Sequence, residues 1–194
     1  MPPDTVILNE DDIRRTLVRI AHEIVEKNPP GGASEESPHR PVALVGIHRR
    51  GAILAQRLHG LVCELLRADV PLGALDISFY RDDFTLRPSG PVVLATQLDF
   101  PVEDRTIVIV DDVLYTGRTV RAAIDAVFDF GRPARVQLAA LIDRGHRELP
   151  IRPDYVGKNV PTSHRERINV SLHEIDGRDE VALGTAGEQR RSPS

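Results

Sequence analysis

The stretch 107-IVIVDDVLYTGRT-119 reads as a strand, a turn and the start of a helix. Residues 106–113 (TIVIVDDV) are apolar at consecutive positions until Asp111 and Asp112, the pattern of a strand covered on both faces. Residues 118–130 then follow a helical pattern that stops at Gly131, with Pro133 beyond. A turn leading into a helix N-terminus aims backbone N–H groups at an anion. Thr116 and Thr119 add hydroxyl donors, and Gly117 lets the backbone approach closely. A phosphate fits such a cradle. Two adjacent carboxylates repel phosphate, but they suit a ribose diol or a hydrated Mg²⁺. The stretch contains no lysine and no GxxxxGK[ST] spacing, which excludes a P-loop.

Outward from this stretch the same alternation recurs. VALVGI (42–47) and VQLAALID (136–143) are further buried-type strands, and a strand is expected at 74–80. VVLATQLDF (92–100) and INVSLHEID (168–176) are candidate strands, the latter alternating like an edge strand. Helices are expected over 9–27 and 52–67. In the first, Ile13, Leu17, Ile20, Ala21 and Ile24 form the apolar stripe, and Asn9 is placed to cap it. Residues 28–41 (NPPGGASEESPHRP) read as a flexible loop, 81–91 as a mobile one, and 184–194 as a disordered tail. The expectation is a single α/β domain over 1–183, a parallel sheet flanked by helices, with ligands outside the carboxyl ends of its strands.

That rule makes GIHRRG (46–51) the next loop of interest. Arg49 and Arg50 directly after a buried strand suit a diphosphate, because guanidinium pairs bidentately with phosphate oxygens.

Composition bounds the remaining choices. The net charge of -4 argues against broad charge-driven nucleic-acid binding but permits a local basic patch. Of 25 basic residues only Lys27 and Lys158 are lysine. Cys63 is the sole cysteine, so no disulfide forms within the chain. No run of eighteen apolar residues occurs and the N-terminal residues lack a signal-peptide pattern; a cytoplasmic protein, not a membrane one, is expected.

VIVDDVLYTGRT is similar to the phosphoribosyl-pyrophosphate signature of the type I phosphoribosyltransferases. The resemblance implies that family's fold, with a small hood over the active site, and Mg²⁺ with the substrate. It implies that Asp111 and Asp112 hold the ribose hydroxyls, as the catalytic acids, with the metal near them. Val113, Leu114, Tyr115, Thr116, Gly117, Arg118 and Thr119 would form the phosphate loop, and Arg49 and Arg50 the diphosphate loop. SFYRDDF (78–84) resembles the loop that closes over the site, with Tyr80 on the substrate and Arg81 in a catalytic role.

DRGHRELPIR followed by GKNVPTS narrows the resemblance to the pyrimidine-operon regulator group, which also acts as uracil phosphoribosyltransferase. This implies a base-binding hood segment around 153–167, with Arg144, Lys158 and Val160 toward the base. It also implies binding to a pyr mRNA leader, promoted by UMP or UTP, and assembly into dimers or tetramers. Arg15, Arg19 and His22 share one helix face at spacings of four and three; with His146, Arg147 and Arg152 they are the candidate RNA contacts. The chain departs from the group's pattern in the long 28–41 loop, in His48, and in Val18, where a threonine is expected. Two alternatives stand beside the bifunctional reading: a UMP/UTP-sensing RNA-binding regulator with little catalysis, and a purine-type phosphoribosyltransferase.

Overall fold

The computed structural model describes residues 4–29, 40–77 and 96–185. Five parallel strands form the main sheet: β2 (Val42–Ile47), β3 (Leu72–Leu75), β4 (Thr106–Leu114), β5 (Arg135–Asp143) and β6 (Tyr155–Asn159), in the order β3-β2-β4-β5-β6. Alternate residues of β4 feed two cores. Val108 and Val110 face α1 (Glu10–Lys27) and α2 (Arg50–Leu66), while Ile107 and Ile109 face α3 (Arg118–Asp129). Both faces are covered, as the unbroken apolar strand implies.

A second sheet, antiparallel with order β1-β8-β7, joins β1 (Thr5–Leu8), β8 (Glu180–Thr185) and β7 (Glu166–Ser171). Its Leu8, Ile168, Val170 and Val181 merge with the α1/α2 core. Ahead of α1, Asn9 accepts the Asp12 N–H at 2.9 Å and the Asp12 carboxylate accepts the Asn9 N–H at 3.2 Å, a reciprocal box that fixes where the helix starts.

Several sequence expectations are corrected. The strand expected at 74–80 begins at Leu72 and ends at Leu75; Leu44–Ile47 of β2 supply its register, and the Asp76 N–H already turns to the Thr96 hydroxyl at 3.1 Å. Of 92–100, the residues described form one antiparallel bridge, Gln97 to Ala74. The strand expected over 168–176 stops at Ser171 and gives way to the short helix α4 (His173–Asp176), because the Asp176 carboxylate captures the Leu172 N–H at 2.9 Å. The hood stretch expected around 153–167 divides. Residues 155–159 become the fifth strand of the main sheet, and Glu166 and Arg167 enter the antiparallel sheet, a cover that packs on α1 and α2. Strand β8 extends to Thr185, two residues into the expected tail. The expected linker residues 30–39, the closing loop with Tyr80 and Arg81, and the tail beyond 185 lie outside the described residues.

No helix among the described residues is long and apolar enough to cross a membrane.

Candidate active site and basic face

The end of β4 and the start of α3 form the centre of the site. Asp111 is buried, and its carboxylate accepts the Asp112 N–H at 2.9 Å. The half-buried Asp112 carboxylate in turn accepts the Val113 N–H at 2.9 Å. Both acids are therefore held in fixed rotamers at the carboxyl end of the central strand. Gly117 takes the left-handed conformation, φ 94°, which a side chain would disfavour, and turns the chain into α3. The N-cap residue Gly117 makes no side-chain cap, and the Thr116 hydroxyl accepts the Arg118 N–H at 3.4 Å. The first N–H groups of the helix have no helical acceptor and face the turn, which makes the site receptive to an anion.

The expected phosphate cradle is walled by the segment after β5. The N–H groups of Glu148 and Leu149 both donate to the Thr116 carbonyl, at 3.0 and 3.2 Å. Arg118 pairs with Glu148 at 2.7 Å, and Gly117 backs onto Leu149 and Ile151. Arg147 adds three fastenings: Nη1 to the Tyr115 carbonyl at 2.8 Å, Nη2 to Asp143 at 2.6 Å, and Nε to the Ile151 carbonyl at 2.9 Å. From the sequence Arg147 is a candidate RNA contact alone; in the structure it also holds the cradle's own backbone.

The second loop lies beside the first, because β2 and β4 are neighbours. A Cβ on Gly51 would stand 2.5 Å from the Val110 carbonyl, so only glycine brings the arginine loop this close to β4. Arg49 is exposed at the mouth. Arg50 points to the cover, where one Nη reaches both oxygens of Asp176 at 3.1 Å. Its Nε is buried with no hydrogen-bond partner among the described residues. Such an orphaned guanidinium N–H calls for an anionic acceptor. Hydrogen bonds from the Leu172 N–H and Arg50 hold the Asp176 carboxyl below the usual carboxylate range.

Arg57 of α2, unremarked in the sequence, is the main fastening of the cover. It reaches Asp179 at 2.6 and 2.8 Å and Glu174 at 2.9 Å with a further contact at 2.5 Å. The pairs hold both carboxyls below their ordinary values. The signal was weak beforehand: an arginine nearly two helical turns past a loop, with its acids more than a hundred residues away.

Of the three expected base contacts, Arg144 is buried between the Tyr115 turn and residues 162–166. It donates to the Thr162 hydroxyl at 3.1 Å and the Glu166 carbonyl at 2.9 Å, and its guanidinium lies 4.2 Å over the Tyr115 ring. The Val160 N–H is spent on the Asp143 carbonyl at 2.8 Å. Lys158 is tied to the Ile7 carbonyl at 3.2 Å, turned toward β1 rather than into the strand-end cleft.

The two groups of expected RNA contacts meet along β6, the edge strand of the main sheet. From α1, Arg19 donates to the carbonyls of Val156 and Gly157 at 2.9 and 2.7 Å, and Lys27 to that of Asp154 at 2.9 Å. From the other side, His146, Arg147 and Arg152 line a cavity that also includes Val156. His22 is exposed on α1. Much of this charge is internally paired: Arg15 with Asp12, Arg19 with Glu23, Arg147 with Asp143. The face is thus less positive than its arginine count suggests.

A family model described as the phosphoribosyl transferase domain matches residues 15–173. The chain is 61% identical over 171 residues to the bifunctional protein PyrR of Roseiflexus sp. (strain RS-1), covering 88% of this chain and 89% of that one. It is 53% identical over 181 residues to the bifunctional protein PyrR of Deinococcus radiodurans, covering 93% and 94%. Among solved structures, the hypoxanthine phosphoribosyltransferase of Trypanosoma cruzi superposes with a TM-score of 0.68 at 18% identity, covering 92% of this chain and 95% of that one. The hypoxanthine phosphoribosyltransferase of Staphylococcus aureus gives 0.64 at 17%, covering 91% and 90%. At such identity the likeness speaks for the fold alone.

Proposed function

The chain belongs to the phosphoribosyl transferase domain family, and from that premise we propose that it joins uracil to phosphoribosyl pyrophosphate, giving UMP and pyrophosphate, and that it also binds a pyr mRNA leader as a regulator. The observation that carries the catalytic reading is one local arrangement. Two fixed carboxylates end a buried strand, a helix N-terminus with glycine at its N-cap follows, and a loop with two arginines lies alongside.

Each part then has a task. The Thr116–Gly117 turn and the first N–H groups of α3 hold the 5-phosphate. Asp111 and Asp112 accept hydrogen bonds from the ribose hydroxyls. Arg49 and Arg50 hold the diphosphate, and the orphaned Nε of Arg50 gains an acceptor. The C1′–oxygen bond to diphosphate breaks with its electron pair on the departing oxygen, the C1′–N1 bond to uracil forms, and the N1 proton passes to the released diphosphate. The anomeric centre carries positive charge in between, so the two carboxylates beside the ribose stabilise it electrostatically. The antiparallel sheet closes over the strand ends and limits water. Mg²⁺ bound with the substrate would neutralise the diphosphate, and the hard oxygens of Asp111 and Asp112 fit such an ion. Uracil occupies the space bounded by Arg144, Val160 and the antiparallel sheet.

The regulatory reading is supported by the meeting of the α1 and post-β5 basic groups at β6. The setting is the cytoplasm and the assembly a homo-oligomer, dimer or tetramer, which light scattering in solution tests. The test of function is a turnover assay with uracil, hypoxanthine and guanine, run beside a gel-shift assay with the chain's own operon leader. Uracil-specific turnover and a salt-sensitive leader complex are expected. Turnover of a purine in place of uracil, or a leader bound no better than an unrelated RNA, would refute the corresponding half.

A further inference from the structure

A cavity of about 660 Å³ opens against β6, between the turn after β5 and the turn that leads to β7. The phosphate cradle does not line it. Pro153, Val156 and Pro161 supply apolar walls, and Arg152, Asn159 and Thr162 supply polar ones. Most of its polar lining is already engaged: Asp143 with Arg147, Arg144 and the His146 ring with Thr162. Arg152 and Asn159 differ. Both are exposed, and neither side chain has a hydrogen-bond partner among the described residues.

The two open groups are chemically complementary to one nucleotide. A guanidinium takes a phosphate oxygen pair. A carboxamide offers a donor beside an acceptor, the pattern that base edges answer. The walls are flat and apolar, and at the rim the His146 and His164 rings lie 4.1 Å apart, with Tyr115 edge-on to His146. Rings of this kind stack on unpaired bases. A simple anion would use Arg152 but leave Asn159 and the apolar walls without purpose. Val156 joins the cavity to the α1 side, since Arg19 binds its carbonyl, so a polynucleotide crossing β6 meets both.

We propose that this cavity seats one unstacked nucleotide of the bound RNA, its base between Pro153, Val156 and Pro161 with an edge on the Asn159 carboxamide, and its phosphate on Arg152. The proposal rests on the RNA-binding half of the proposed function and names where that RNA is read rather than merely attracted.

The test compares Asn159→Leu, Val156→Phe and Arg152→Ala with the parent protein, using the operon leader RNA at several salt concentrations. Asn159→Leu and Val156→Phe are expected to weaken the complex about tenfold with the salt slope unchanged, because a base contact and not a phosphate contact is lost. Arg152→Ala is expected to weaken it and flatten the slope by about one unit. Leader RNAs made abasic at one loop position at a time should include one position whose loss costs the parent about tenfold and costs Asn159→Leu nothing further. Parent-like affinity for the native leader in both Asn159→Leu and Val156→Phe, with circular dichroism and melting temperature unchanged, overturns the proposal and leaves RNA binding standing. A raised KM for uracil in Asn159→Leu assigns the cavity to the substrate instead and also overturns it. A parent protein that does not bind its leader at all removes the RNA reading itself.

Discussion

The phosphate cradle and the cover above it solve the same problem, holding charged groups still, in opposite ways. The cradle is local: Asp111 through Thr119 occupy one strand end, one turn and one helix start, and each carboxylate accepts the N–H of the next residue, with the segment after β5 as a wall. The cover is remote: β1 and β8 come from opposite ends of the described chain, and Arg50 and Arg57 reach acids more than a hundred residues away. A local site has its geometry dictated by backbone conformation, so its residue types announce it. A remote one depends on side chains that meet only after folding. The comparison predicts that changes in the cradle cost chemistry and spare stability, while changes under the cover do the reverse.

The sharpest way to break that contrast is Asp111→Asn together with Asp112→Asn. Turnover is expected to fall by roughly a thousandfold or more, with the melting temperature within about 3 °C of the parent. Appreciable activity in steady-state assays would remove the acids from the ribose site. A large loss of melting temperature would show that the cradle is structural after all.

Arg57→Met is the counterpart. Two carboxylates lose their shared cation, and Asp179 is left largely buried, at a cost of about 2 kcal/mol after allowing for partial exposure, or a fall of about 5 °C in melting temperature. The acids also give the effect a pH signature. Glu174, Asp176 and Asp179 have carboxyls held below their ordinary values. Their contribution is therefore present above the unfolded carboxylate pKa, near 4, and lost as pH falls through the lower folded values. Urea titrations from pH 7 to 3 should show the parent's stability dropping across that window and a flatter limb for Arg57→Met. Parallel curves would mean that the pairs contribute nothing.

Arg50 belongs to both regions, so it sharpens the boundary. Arg50→Ala should raise the KM for phosphoribosyl pyrophosphate about tenfold and leave that for uracil nearly unchanged. Asp176→Asn should act oppositely, lowering the former KM by releasing the guanidinium from its carboxylate. An identical response of both substrates' KM to Arg50→Ala would place the residue outside the diphosphate site.

The smallest effects are expected at the basic face. Arg19→Ala should weaken leader binding several-fold and flatten its salt dependence by about one unit while sparing turnover. Arg147→Ala should weaken leader binding too, but should also raise the KM for phosphoribosyl pyrophosphate several-fold, because the Tyr115 carbonyl loses its donor. Equal turnover in the two variants would make the Arg147 fastening dispensable.

The contrast also explains what could be read in advance. Strands β2, β4 and β5, helices α1 to α3 and the strand–turn–helix over 111–119 were legible because each rests on short-range pattern: unbroken apolar strands, the helical stripe of α1 with its Asn9 cap, and a glycine between two threonines. Strands β1, β6 and β8 were not. TVIL is a short edge strand and EVALGT a short strand that needs both β1 and β7 as partners, each beside polar or glycine-containing text, and YVGKN resembles a turn until it finds β5 to pair with. The end of the strand at Leu75 and the start of α4 were set by single long-range captures, Thr96 on Asp76 and Asp176 on Leu172, which no local period encodes. The second task of Arg147 was hidden for a related reason: its sequence position shows a basic residue, and only the folded chain shows which carbonyls it holds.

Strand β1 pairs Thr5 with Leu183, so the first strand made has no partner until nearly everything else has been made. At ordinary translation speeds this separates the two by roughly ten to thirty seconds. Strands β2 to β6 are all complete before β8 exists, so the parallel sheet can condense on the ribosome while Val6, Ile7 and Leu8 wait uncovered. A nascent chain of this kind offers an unpaired edge to chaperones for longest at its oldest end. In hydrogen exchange, the antiparallel sheet should be the last unit to gain protection on refolding and the first to lose it.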